Sequence, residues 1–100
     1  MNIYKIQCVK VSGIAPKQFN PGGKKHHYVR IYIEADPASL AKIELVKYTL
    51  HPSFKKPYRL SEDRSSSFDI KIWTYGYFDI KALLIMRDGG TTEISGYVKW

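Results

Sequence analysis

Two short segments hold most of the side chains capable of chemistry. Leu50-His51-Pro52-Ser53-Phe54, followed by Lys55-Lys56-Pro57, places an imidazole, a hydroxyl and a phenyl ring in one loop. Its prolines fix φ and exclude regular structure, so the loop is rigid. Trp73-Thr74-Tyr75-Gly76-Tyr77-Phe78 gathers four aromatic rings in six residues around one glycine. Such rings either plug the end of a core or line a slot. Tyrosine suits a slot because its ring can be covered while its hydroxyl stays wet. A slot between aromatic faces takes a flat polar group, and a hydroxyl plus a backbone group then satisfy polar atoms that are costly to bury alone. His51, Ser53, Phe54, Tyr75, Tyr77 and Phe78 are therefore the candidate ligand-binding residues. Slot and core both remain open readings at this point.

Catalysis has a weaker footing. His51 with Ser53 is the one combination of base and nucleophile, and no third group stands by to orient it. There is no phosphate-cradling glycine loop and no Gly-x-Ser-x-Gly elbow. No catalytic residue is assigned and no enzyme is expected. His26 and His27 are adjacent, so on a strand they point to opposite faces and make a poor metal clamp. The single cysteine, Cys8, is expected to be a buried structural thiol. No metal and no cofactor are expected.

The elements that must position the two segments are strands. In 27–35, Val29, Ile31 and Ile33 alternate with Tyr28, Arg30, Tyr32 and Glu34. In 68–74, Phe68, Ile70 and Ile72 face inward and Asp69, Lys71 and Trp73 outward. In 78–87, Phe78, Ile80, Ala82, Leu84 and Met86 share one side. Tyr4, Ile6 and Cys8 share a face in 2–11, and Ile94, Val98 and Trp100 in 92–100. Residues 42–50 read better as a strand, with Glu44, Val46, Tyr48 and Leu50 on one stripe. Residues 12–25 form a loop with its turn at Asn20-Pro21-Gly22-Gly23. Asp36-Pro37 caps a short helical turn, 51–59 is irregular, 60–67 is a polar connection, and Asp88-Gly89-Gly90 closes a hairpin. Six strands are evident, seven or eight if the loops hold short ones. Two stacked antiparallel sheets bury one face of each, with a small closed barrel as the alternative.

One hundred residues with 44% hydrophobic and 25% charged side chains make one domain, residues 1–100. No run is long and apolar enough to span a membrane as a helix. No apolar run with a cleavage site opens the sequence, and one cysteine makes no internal disulfide, so a cytoplasmic location is expected. The net charge of +7 favours anionic partners. Twelve of the sixteen cations are lysines, point charges rather than base-reading forks, so the attraction to polyanions is expected to be weak and salt-sensitive.

The pattern Val46-x-Tyr48-x-Leu50-His51-Pro52-Ser53-Phe54-x-x-Pro57, then Phe68 and Gly76-Tyr77-Phe78-x-Ile80, resembles the YEATS family, and Trp73 to Phe78 resembles its prokaryotic branch. The resemblance covers about residues 27–100. It implies an immunoglobulin-like β-sandwich of seven to eight strands. It also implies a non-enzymatic binding module with a protein or peptide partner, since eukaryotic members read acetylated or crotonylated lysine in an aromatic channel. His51, Ser53 and Phe54 match the family's His-x-Ser-Phe loop, whose serine hydroxyl bonds the acyl amide. Tyr77 matches the aromatic that closes the other side. Phe78, Asp79 and Ile80 depart from the readers' small residue, glycine and phenylalanine, so Phe78 either turns into the core or fills the channel. The alternative to a binding module is a structural or assembly domain with the same rings packed as core.

Overall fold

The computed structural model describes residues 3–18 and 22–100, so Asn20 and Pro21 of the expected turn lie outside the described residues. The elements are β1 (Lys5–Lys10), β2 (Lys17–Gln18), β3 (Lys25–Glu34), α1 (Pro37–Leu40), β4 (Ile43–Thr49), β5 (Tyr58–Ser61), β6 (Ile70–Thr74), β7 (Phe78–Met86) and β8 (Thr91–Val98). In one antiparallel sheet β3 pairs with β1, β2 and β6; the other has the order β5-β4-β7-β8. Among the described residues the fold is an immunoglobulin-like β-sandwich of eight strands.

Alternation decides what each sheet buries. Val29, Ile31 and Ile33 of β3 face Val46 and Tyr48 of β4, and Ile80, Ala82 and Leu84 of β7, across the core; all are essentially inaccessible. Ile72 joins them, while Ile70 is only half-buried, contrary to expectation. The two sheets also close on each other at β1 and β8. An added Cβ at Gly96 would stand 3.0 Å from the Ile6 Cβ, so glycine permits this approach.

Four further expectations need correction. Tyr58–Ser61 is a strand and not part of an irregular or polar connection; its edge position turns Tyr58 and Leu60 outward and buries Ser61, inverting the usual pattern. Glu44 does not share the inward stripe. A bulge between Ile43 and Leu45 against β7 makes Glu44 the extra residue and returns Ile43 to the core. Phe68 is buried, but not by strand alternation. Ser67 and Phe68 both adopt left-handed backbone, φ 57° and 55°, and the buried Tyr48 hydroxyl donates to the Phe68 carbonyl. Cys8 is half-buried, packed against the core and not within it.

Local chemistry fixes the connections. The Asp36 carboxylate accepts from the Ser39 N–H at 2.7 Å with Pro37 opening the turn, and the Asp88 carboxylate accepts from the Gly90 N–H at 2.8 Å, with Gly89 at φ 91°. Across the first sheet Arg30 donates to Asp69 at 2.8 Å and to the Ser66 carbonyl at 2.7 Å. This ties the connection before β6 to the middle of β3.

Candidate functional site

At one end of the sandwich three pieces of chain converge: the 51–57 loop after β4, the β6–β7 turn, and the start of β3. The pairing of β6 on β3 brings them together, since it sets His27 opposite Thr74 and Tyr28 opposite Trp73. They enclose an open cleft of about 280 Å³. His51, Ser53, Phe54, Tyr75, Tyr77 and Phe78 all line it. His26, Lys55, Trp73, Thr74 and Gly76 complete the wall.

The aromatic rings divide by role. Phe78 is 8% exposed and belongs to the core, and its ring packs on Phe54 at 5.1 Å between centroids. Phe78 therefore turns into the core rather than filling the cleft, and with Phe54 it forms an apolar floor. Tyr75 and Tyr77 are 53% and 49% exposed and form the sides. The Thr74 hydroxyl donates to the Gly76 carbonyl at 3.0 Å, which curls the turn and sets the two tyrosines on either side of the glycine. Tyr77 is held from behind. Its hydroxyl donates to the Trp100 carbonyl at 3.2 Å, and the Trp100 ring meets it edge to face at 4.8 Å. Tyr75 meets the His26 imidazole edge-on at 5.3 Å.

The polar pair at the mouth has a defined polarity. The Ser53 N–H donates to His51 Nδ1 at 3.1 Å, which makes this nitrogen an acceptor. The Ser53 hydroxyl, 2.8 Å from the same nitrogen, must then donate to it. The oxygen lone pairs remain, and an incoming N–H is the partner they suit. A second depression, lined by Leu50, Asp79, Lys81 and Tyr97 among others, shares His51, Tyr77 and Phe78 with the cleft and lies across that wall.

His26 was not foreseen as part of the site. In the sequence His26 registers only as basic charge and as half of a poor metal clamp; the β3–β6 register carries it to the cleft. Trp100 lies beyond β8, packs against the core that holds Ile94 and Val98, and also supports Tyr77.

A two-sheet antiparallel sandwich with a cleft built from the loops of one end defines an immunoglobulin-like domain with an end cleft. The family model described as the prokaryotic YEATS domain matches residues 28–99, and the chain belongs to that family. The fold agrees. The Yaf9 YEATS domain recognising an H3K122suc peptide superposes with a TM-score of 0.67 at 19% identity, covering 96% of this chain and 69% of that one. The Yaf9 YEATS domain bound to H3K27ac gives 0.67 and 19%, covering 97% and 69%. The yeast AF-9 homolog Yaf9 gives 0.68 and 19%, covering 96% and 64%. No curated protein sequence matches the chain.

Proposed function

We propose that this domain is a non-enzymatic binding module whose end cleft takes the side chain of an acylated lysine, or a similar small planar group, carried by a protein or peptide. The observation that carries the reading is the cleft itself. An apolar floor of Phe54 and Phe78, exposed tyrosine sides and an acceptor hydroxyl at Ser53 meet in one open space. An acylated lysine has lost its charge and presents a flat amide on an apolar stem. Its stem and acyl tip lie on the floor, the amide plane stacks between ring faces, and its N–H donates to Ser53 Oγ. The Yaf9 YEATS domains recognising an H3K122suc peptide and bound to H3K27ac support the ligand class.

The test pairs binding with stability. Ser53→Ala removes one exposed hydroxyl, so melting should move by less than about 1 kcal/mol equivalent, while binding of an acetyl- or crotonyl-lysine peptide weakens about five- to thirty-fold. Tyr77→Ala removes a stacking face and should weaken binding further while the domain stays folded. If Tyr77→Ala unfolds the domain and no acylated peptide shifts a resonance of the parent, the rings serve the structure and the binding reading is wrong.

A further inference from the structure

The cleft is bordered by cations. Lys55 lines it beside His26 and His51, and no Asp or Glu does so among the described residues. At the rim the Lys24 ammonium sits 4.9 Å from the centre of the Tyr75 ring, and that of Lys17 sits 5.9 Å from the Trp73 ring. The carboxylates are elsewhere. Glu34, Asp36, Glu44, Glu62, Asp63 and Asp88 stand in or beside the connections at the opposite end of the sandwich. Asp69 is taken up by Arg30. Glu93 pairs with Leu83 in the first half of β8, and Asp79 lies across the Tyr77–Phe78 wall in the second depression.

Distance makes this segregation matter. The strands that join the two ends, β3 of ten residues and β7 of nine, hold them about 30 Å apart, several times the screening length of about 8 Å at physiological salt. A group entering the cleft therefore meets the lysines of that end and almost none of the acids that offset them elsewhere.

We propose that the segment entering this cleft is an acidic peptide, with Asp or Glu next to the modified lysine and facing Lys24 and Lys55. This rests on the acyl-lysine reading of the cleft. A peptide fits better than nucleic acid because the ring faces at the rim are already engaged by cations, Tyr75 by Lys24 and Trp73 by Lys17. Bases would have to displace those ammoniums to stack, whereas a carboxylate approaches them from outside. A basic segment would be repelled from the same rim.

The experiment titrates the whole chain with peptides carrying a central acetyl- or crotonyl-lysine flanked by Asp/Glu, by Gly/Ser or by Lys/Arg, with a single-stranded oligonucleotide as competitor. Acidic flanks should bind roughly three- to ten-fold tighter than neutral ones. The advantage should shrink towards one on raising salt about tenfold. In Lys24→Gln/Lys55→Gln the ratio of acidic to neutral should fall close to one, whatever the absolute affinity. Acylated peptides that bind with no flank preference, or with a preference for basic flanks, overturn this inference and leave the acyl-lysine reading standing. If no acylated peptide binds with any flank, that reading falls and the inference with it. An oligonucleotide that displaces the acidic peptide at lower concentration assigns the basic rim to nucleic acid instead.

Discussion

At Phe78 the chain departs from the small residue of the YEATS readers, and the consequence is local. Its ring leaves the cleft for the core, where it packs on Phe54, and the sides are left to Tyr75 and Tyr77. The division explains how one cluster of rings both closes the core and lines the cleft. Cys8 shows the other outcome of burial. Packing against the core raises its thiol from the usual 9.0 to about 11 through loss of hydration. The sign follows from linkage: the folded state favours the neutral thiol, so this contribution is complete below pH 9 and is lost as pH rises towards 11. Chemical denaturation should show stability falling across that window, less steeply in Cys8→Ala, and alkylation of the native thiol should stay slow at pH 8. A Cys8 that alkylates at the rate of a free thiol at pH 8 contradicts the shift.

The elements differ in how openly the sequence displays them. β3 is legible because Val29, Ile31 and Ile33 alternate without interruption and face a covered side, and β7 because Phe78, Ile80, Ala82 and Leu84 keep the inward register although Leu83 and Ile85 are apolar too. β5 is not, because as an edge strand it turns Tyr58 and Leu60 to solvent and buries Ser61, so the same alternation points the wrong way. Glu44 misleads because a bulge shifts the stripe by one residue, and a bulge has no pattern of its own here. The His51–Phe54 and Tyr75–Phe78 parts of the cleft are legible because each is contiguous in sequence. His26 is hidden because only the β3–β6 register brings it in. Two element-level variants follow. Gly96→Ala pushes a methyl onto Ile6 and should cost about 1–2 kcal/mol in urea denaturation, whereas Gly76→Ala, with nothing within 4 Å of the new methyl, should be nearly neutral. Ser67→Gly relieves a left-handed serine at φ 57° and should stabilise the domain by about 0.5 kcal/mol after the entropy of glycine is set against it. A Ser67→Gly variant that melts below the parent would show that the serine side chain contributes more than the strain it carries.

On the scale of the whole molecule, the sandwich keeps its two ends chemically distinct, one with loops rich in lysine and aromatic rings and the other with capped turns rich in carboxylates. Both tryptophans of the chain fall at the first end. Trp73 lines the cleft and Trp100 packs against the back of Tyr77. The intrinsic fluorescence of this protein is therefore a label-free reporter of the cleft, while far-ultraviolet dichroism reports the sheets. Filling the cleft should change emission without changing dichroism. In thermal unfolding the two signals should coincide if the loop end melts with the sandwich. A fluorescence transition that precedes the dichroic one would instead reveal a cleft end that loosens before the sheets do, and a ligand of the cleft would then pull the two curves back together.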